Sequence, residues 1–472
     1  MLVNRTTERM NAAITLHAAK RGSLTPLNAA RLMTTLYLAW LLLSQLDHPQ
    51  FYAAVPLVFA SSVLTLLVLE HFRYDPRSSG VLLLIICQLY FFGRADFISQ
   101  PWGWYYILGH ASYLIFLLGL FAGVKLFAGT AKRQSHEARA APRPIPKASR
   151  LYVVGIATFI GYALGLNYLL SSTGASGSFI ELIFQSLATR LAIAETGLSP
   201  VLQLMYVLSA FGLGTAYILW QDHKQRLPMV AWLLLMGYSA LVLGSRGAIV
   251  LPVIQILLAT SLLLKRPLRM LAALVVPLVV AVNVFSTWYL AAREGLDALA
   301  DDNYSVLNRF DAYENWLRFS TDRGFELKPG ASIPAMFLQF VPRRLYEDKP
   351  YYFSTEMTRI YAPDAFDRGI NLDFGGIAES VYNFGPLGPP LFGLFLGWVV
   401  GKMDRFRNRA HQLRDPLSAY IFAQGALIPA SFFFVGWINT AMIFGVIGFL
   451  LTIKIFRIIA GQKKLNGKIH HH

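Results

Sequence analysis

The run NLDFGGIAESVYNFGPLGPPLFGLFLGWVVGK at residues 371–402 organises this chain, because a polar segment turns into a hydrophobic one within it. Upstream of it, from about 292 to 385, lies the one long stretch without a hydrophobic run. Downstream of Pro386 the chain stays hydrophobic for nearly the length that crosses a bilayer as a helix. The run therefore marks the place where a polar loop meets a membrane helix.

The composition of the rest of the chain is that of a polytopic membrane protein. Of its 472 residues 55% are hydrophobic and only 14% are charged, which lies outside the usual range of soluble domains. Twelve runs are long enough to span a bilayer, the shorter ones if the bilayer thins or flanking side chains snorkel. We place them at about 32–46, 51–70, 81–93, 104–128, 151–170, 199–220, 227–243, 248–264, 271–291, 386–401, 416–436 and 438–456.

These runs predict an all-α polytopic membrane protein with about twelve transmembrane helices and one large loop. The predicted organisation has five parts, and the last ends in an expression-tag remnant. They are a cytoplasmic N-terminal segment at 1–31, transmembrane helices 1–9 at 32–291, the large loop at 292–385, transmembrane helices 10–12 at 386–456, and a cytoplasmic tail at 457–472.

The distribution of positive charge predicts the orientation. With a cytoplasmic N-terminus, 29 of the 42 Lys and Arg residues fall on the cytoplasmic side, and 10 of the other 13 lie in the large loop. This bias obeys the positive-inside rule, so we place both termini in the cytoplasm and the loop outside. In a bacterium, that is the periplasmic face of the inner membrane. The basic pI near 9.8 is explained by topology, and we expect no nucleic-acid partner.

Three arginines lie in short external segments, where the charge bias disfavours them. Arg246 lies in LGSRGA at 243–248, between two glycines that permit close approach of a partner. Arg190 lies in 179–197, whose apolar residues repeat at helical spacing and predict an amphipathic helix on the membrane surface. Either arginine could bind a pyrophosphate, or it could reach lipid phosphates or pair with Glu181 or Glu195. For Arg94, a local pair with Asp96 is the favoured interpretation.

Within the large loop, PRRLYEDKP at 342–350 carries two adjacent arginines, Arg343 and Arg344. The guanidinium fork matches phosphate oxygens bidentately and keeps its charge. Together with Arg246 and Arg190 they predict a cationic pyrophosphate site at the outer membrane face. The alternative is that Arg343 and Arg344 pair with the neighbouring Glu347 and Asp348.

The run at 371–402 contains the two candidate catalytic carboxylates. IAESVYNFG is predicted to end a helix at Gly385, with Glu379, Tyr382 and Asn383 on nearby faces. A carboxylate at the mouth of a span suits a general base or a group that orients a hydroxyl, and Asp373 is the second candidate. Both carboxylates could instead be capping or solvated groups. Tyr382, Asn383 and Tyr351 are candidate glycan contacts, although aromatic residues are also common at membrane interfaces.

The sequence contains none of the common nucleotide-binding, metal-binding or serine-nucleophile motifs. No Walker A loop, HExxH or G-x-S-x-G motif occurs, and the histidines lack a second ligand at metal spacing, so we expect no metal and no cofactor. The one cysteine, Cys87, excludes an intramolecular disulfide.

The segments LGSRGA at 243–248, PRRLYEDKPYYFST at 342–355 and NLDFGGIAESVYNFGPLG at 371–388 resemble the O-antigen polymerase family of oligosaccharide repeat-unit polymerases. The resemblance covers the twelve-span plan and about the second half of the chain. It implies a C-type glycosyltransferase fold and a metal-independent enzyme acting in lipopolysaccharide biosynthesis. It also implies that a glycan on undecaprenyl pyrophosphate is moved onto a second lipid-linked repeat unit, with the bilayer and a chain-length-regulating co-polymerase as further partners.

Three other functions remain open from the sequence. One is a non-enzymatic scaffold for envelope assembly, whose large loop would tolerate point changes. The related O-antigen ligases, which transfer a finished glycan to lipid A core, use a similar external loop. A transporter or flippase for lipid-linked sugars is the alternative from another class, and it predicts charged residues inside the spans. Apart from Glu70 and Lys125 near span ends, the hydrophobic runs have almost none.

Overall fold

A computed structural model describes the helical body of the chain and parts of the large loop. The described residues are 28–39 with gaps, 51–75, 77–92, 104–137, 146–195, 198–243, 247–264, 315, 329–330, 332–338, 341, 345–346, 348–367, 372, 374–435 and 440–459. Throughout these ranges the regular structure is helical, and no strand occurs in them.

Seventeen α-helices are delimited within the described ranges. They are α1 Phe51–His71, α2 Ser79–Phe92, α3 Trp104–Glu137, α4 Ala148–Ser172, α5 Phe179–Phe184, α6 Ser186–Glu195, α7 Ser199–His223, α8 Leu227–Val242, α9 Gly247–Leu263, α10 Ser332–Leu338, α11 Phe353–Tyr361, α12 Pro363–Asp367, α13 Gly375–Phe384, α14 Gly388–Leu413, α15 Pro416–Ala426, α16 Ile428–Val435 and α17 Thr440–Ile459. A 3₁₀ turn at Gly385–Leu387 joins α13 to α14.

Five helical stretches are long and apolar enough to cross a membrane, and five shorter helices are also apolar. The long ones are Ile107–Phe127, Ala148–Ser172, Pro200–His223, Gly375–Leu413 and Pro416–Phe433. A helical membrane protein accounts for this pattern, as predicted. The predicted span at 32–46 is described only in part, and the one at 271–291 lies outside the described residues, so the twelve-span layout stays a prediction.

The longest helix, α3, crosses α14 through two pairs of glycines spaced four residues apart. They are Gly119 and Gly123 on α3, and Gly393 and Gly397 on α14. A Cβ atom on Gly393 would lie 2.1 Å from the carbonyl oxygen of Phe116, and one on Gly119 would lie 2.3 Å from that of Pro390. Small residues at this spacing let two membrane helices bring their backbones together. The crossing therefore depends on the absence of side chains at these four positions.

Helix α14 also connects the two hydrophobic clusters of the body. Its residues Phe392, Leu396 and Val400 belong to the cluster formed with α1, α2, α3, α11, α13 and α16. Its residues Val399, Met403 and Ala410 belong to the cluster formed with α4, α5, α6, α7, α8, α9, α15 and α17. Helix α14 is thus the central element against which both halves of the described body pack.

The segment predicted as one amphipathic helix at 179–197 consists of two short helices, α5 and α6, that meet at Gln185. Helix α5 begins with a capping box in which Glu181 accepts a hydrogen bond from the backbone N–H of Ser178 at 2.7 Å. Leu182 and Ile183 are buried. The carboxylate of Glu181, considered above as a partner for Arg190, is engaged in this cap.

Candidate functional site

Helix α13 comes at the end of the segment predicted as the large loop and directly before α14, and it is buried almost throughout. It begins at Gly375, whose φ is +73°, and ends before Gly385, whose φ is +61°. Both residues adopt the left-handed region that glycine tolerates without steric cost. The predicted end of this helix at Gly385 is confirmed.

Two glycines fit α13 tightly against its neighbours. A Cβ atom on Gly376 would lie 2.4 Å from the ring of Phe392 and 2.8 Å from the carbonyl oxygen of Phe432. A Cβ atom on Gly388 would lie 2.0 Å from the carbonyl oxygen of Ser380. The chain therefore turns sharply after α13, and the start of α14 packs against the helix that precedes it.

Glu379 lies on α13 with only 3% of its surface exposed. Its neighbours Ser380 and Asn383 are also buried, so three polar side chains of this part of the helix lie inside the protein. Removing a carboxylate from water is costly unless polar groups of the protein compensate it. A buried acid within a candidate membrane span is consequently a candidate for a functional group.

Asn383 fastens the segment 329–338 of the large loop onto α13. Its side-chain oxygen accepts a hydrogen bond from the backbone N–H of Ser332 at 3.0 Å. Its amide nitrogen donates to the Ser332 hydroxyl at 3.0 Å and to the carbonyl oxygen of Glu379 at 2.9 Å. The backbone N–H of Gly330 donates to the carbonyl oxygen of Asn383 at 3.1 Å. We call the contacts among Gly330, Ser332, Glu379 and Asn383 the Asn383 clasp.

A second contact holds the loop immediately before α13. The hydroxyl of Thr358 on α11 accepts a hydrogen bond from the backbone N–H of Leu372 at 2.8 Å and donates to the carbonyl oxygen of Ser354 at 2.7 Å. Thr358 is fully buried. Its hydroxyl thus connects α11 to the residues that lead into α13.

Aromatic rings of α11 pack against α13 and against the residue before it. The ring of Phe353 lies 4.9 Å from that of Tyr382 and 5.7 Å from that of Phe374, measured between centroids. Tyr361 also contacts Phe374, at 6.1 Å. Tyr382 is 6% exposed, so most of its ring is used in packing.

Tyr351 lies further out on the loop. Its ring packs edge-on against Phe366 at 5.5 Å, and the guanidinium of Arg359 lies 5.6 Å from its centre. Arg359 also pairs with Glu356 at 2.8 Å. Tyr351 is half-buried, which leaves part of the ring accessible to a ligand.

The structure thus brings together three of the predicted site residues, Glu379, Tyr382 and Asn383, on one buried helix. The backbone of Arg190 lies in α6, but its side chain is outside the described atoms. Four further predicted site residues lie outside the described residues, and their roles stay predictions. They are Arg246, Arg343, Arg344 and Asp373.

A separate polar cluster surrounds the far end of α14. Asp75 pairs with Arg77 at 2.9 Å and with Arg407 at 3.5 Å, while Arg407 also approaches Asp404 at 3.6 Å. Burial acts to raise the pKa of Asp75, but the hydrogen bonds and charges of Arg77 and Arg407 outweigh it and hold that pKa below its usual value. The carboxylate of Asp75 is therefore neutralised by two arginines, and this cluster joins the α1–α2 turn to α14.

Ser332 and Thr358 organise the site, yet sequence reasoning missed both. The contact between Ser332 and Asn383 joins positions 51 residues apart, and Thr358 contacts Leu372 across 14 residues. Neither residue belongs to a motif with regular spacing. The one local signal is the Pro329–Gly330 pair, which is typical of a turn and in which Gly330 has a φ of +71°.

No group of three or more His, Cys, Asp or Glu side chains with metal-binding geometry occurs among the described residues. Comparison with protein families, curated proteins and solved structures finds no match for this chain.

Proposed function

We propose that this protein is a membrane glycosyltransferase that polymerises undecaprenyl-pyrophosphate-linked oligosaccharide repeat units into an O-antigen-type polysaccharide. The observation that supports this most is the buried Glu379 on α13, where the large loop joins membrane helix α14. A buried carboxylate at such a junction suits a reaction between a lipid-anchored substrate in the bilayer and a glycan outside it.

In the proposed reaction, a hydroxyl oxygen of the acceptor sugar attacks the anomeric carbon of the donor glycan. The bond from that carbon to the pyrophosphate oxygen breaks, and undecaprenyl pyrophosphate leaves with the bonding electrons. Glu379, or Asp373 as the second candidate, takes the proton of the attacking hydroxyl. Fixed positive groups are needed where charge builds on the leaving group. We assign this role to Arg246 and Arg343 first.

Arg190 and Arg344 are the second pair proposed for pyrophosphate binding. Tyr351 is the proposed glycan contact with the most accessible ring, since Tyr382 packs against Phe353. The amide of Asn383 bonds to Ser332 and Glu379 within the chain, so a contact with the glycan would require these bonds to open.

The proposal includes the topology. The large loop and the mouth of α14 face the periplasm, both termini face the cytoplasm, and the chain crosses the bacterial inner membrane twelve times. The long apolar helices support membrane embedding, and the excess of Lys and Arg in the predicted cytoplasmic segments supports the orientation. A co-polymerase that regulates chain length is the proposed protein partner.

The proposal is tested with the purified protein in proteoliposomes that contain undecaprenyl-pyrophosphate-linked repeat units as the only glycan. A polymerase produces a ladder of lipid-linked chains and releases undecaprenyl pyrophosphate at every step. Product that forms only when lipid A core is added identifies a ligase. Movement of the lipid-linked sugar across the bilayer without any new covalent product identifies a transporter, and either of these results overturns the proposal.

A further inference from the structure

The short loop helix α10 presents an apolar face that the protein leaves uncovered. Phe337 is 65% exposed and Ile333, one helical turn before it, is 37% exposed. On the opposite face, Ser332 and Ala335 are buried against the protein. Residues four apart lie on one side of a helix, so the two apolar side chains share a single exposed face.

The Asn383 clasp fixes where this face lies. It holds Ser332, the first residue of α10, within hydrogen-bond distance of Asn383 at the end of α13. The Pro329–Gly330 turn before α10 is attached to the same residue. Helix α10 is therefore fixed at the mouth of α14, although it belongs to the polar loop in sequence.

An exposed apolar stripe begins close to Asn383 and runs along α14. Leu387 ends the 3₁₀ turn after α13 and is 68% exposed, and Leu391, one turn later on α14, is 48% exposed. Trp398 lies two turns further along and is 40% exposed, and Lys402 lies 5.8 Å from its ring. An apolar stripe that ends at an aromatic ring and a lysine is typical of a helix face that meets lipid. The stripe therefore defines a lipid-facing side whose outer end lies beside α10.

A second part of the loop has the same character. Lys349 donates a hydrogen bond to the carbonyl oxygen of Val341 at 3.0 Å and so closes the segment between them. Within that segment, Leu345 is 73% exposed and Tyr346 is 42% exposed. Apolar and tyrosine side chains together are common at the level of the lipid headgroups.

We infer that α10 lies in the membrane–water interface and inserts Ile333 and Phe337 among the lipid chains beside the mouth of α14. The occupant of the apolar face is thus the bilayer, because the Asn383 clasp holds α10 four residues from Leu387, where the lipid-facing stripe of α14 begins. Short amphipathic helices bind an interface in this way through their buried apolar area. The contact holds the loop at the bilayer surface, where any lipid-anchored substrate presents its headgroup. The inference concerns membrane contact alone and does not depend on the proposed reaction.

The inference is tested by placing a fluorescent label on the face of α10. In a Cys87→Ala background, Phe337→Cys is labelled with an environment-sensitive nitrobenzoxadiazole dye, and the protein is reconstituted in lipid nanodiscs. The matched control is Asp364→Cys on α12, an exposed polar position of the same loop. We expect the label at 337 to show blue-shifted emission and quenching by lipids that carry a spin label, whereas iodide in the water quenches only the label at 364.

If the Phe337→Cys variant folds poorly, a label on Ile333→Cys measures the lipid contact of the same face of α10. Equal iodide quenching at 333, 337 and 364, with no quenching by the spin-labelled lipids, would overturn the inference and leave the face as a site for a protein partner. Because the readout needs no turnover, it is independent of the polymerase assay. Lipid contact without ladder formation would retain this inference and remove the proposed function.

Discussion

The α3–α14 crossing and the Asn383 clasp both join parts of the chain that are distant in sequence, but different forces hold them. At the crossing, backbones touch because glycines remove every intervening side chain. At the clasp, one buried amide supplies the contacts to a loop segment. The crossing therefore tolerates no added volume, while the clasp depends on a few hydrogen bonds. Close backbone packing thus joins α3 to α14, whereas hydrogen bonds to one residue attach the loop segment to α13.

The largest effect on stability is expected at the crossing. Gly393→Ala places a methyl group 2.1 Å from the carbonyl oxygen of Phe116 and 2.7 Å from the backbone nitrogen of Leu120, so the helices must separate. Overpacking of this kind costs about 3 kcal/mol. We expect a low yield of monodisperse protein on size-exclusion chromatography in detergent and a melting midpoint lower by many degrees.

The matched control for this change is Gly237→Ala on α8, where an added Cβ meets no atom within 4 Å. Alanine is the better helix former by up to about 1 kcal/mol, so this variant should melt at or slightly above the wild-type midpoint. Equal behaviour of the two variants would show that the close contact between α3 and α14 is not what holds the body together.

A smaller and more local effect is expected at the clasp. Asn383→Ala removes three side-chain hydrogen bonds and leaves the buried N–H of Ser332 without its acceptor, which costs about 1–3 kcal/mol. Because this loss falls on the attachment of the loop, hydrogen exchange should accelerate in 329–338 while α3 and α14 stay protected.

Asn167→Ala, at an exposed position of α4, is the control for the clasp and should leave the exchange pattern unchanged. If exchange in Asn383→Ala rose equally in α3, the clasp would belong to the global core instead of being a local attachment. Unchanged exchange in 329–338 would show that other contacts hold the segment.

The comparison also explains what the sequence could predict. Hydrophobic runs predicted the apolar helices, because a helix that crosses a bilayer needs a long stretch of consecutive apolar residues, which the sequence shows directly. The end of α13 was predictable from Gly385, since a left-handed residue is a local requirement. The break between α15 and α16 at Leu427 was not predicted, because both sides of it are equally apolar.

Contacts between distant segments were harder to foresee. Each glycine pair of the crossing is visible in the sequence as two glycines four residues apart. The sequence around either pair does not indicate that the α3 pair contacts the α14 pair. The clasp gives even less signal, because Ser332 resembles any polar loop residue until the fold brings it to Asn383. For Glu379 the residue type was informative, while its near-complete burial became evident only from the packing of α13.

The central claim is that the buried Glu379 performs chemistry, and it is tested most directly by the turnover of Glu379→Gln in proteoliposomes with lipid-linked repeat units. The control is Glu356→Gln, which removes a carboxylate of the same loop that pairs with Arg359 at the surface. Loss of a general base costs about 10²-fold or more, so Glu379→Gln should lose at least that factor at an unchanged melting midpoint. Turnover of Glu379→Gln equal to that of Glu356→Gln would contradict the account.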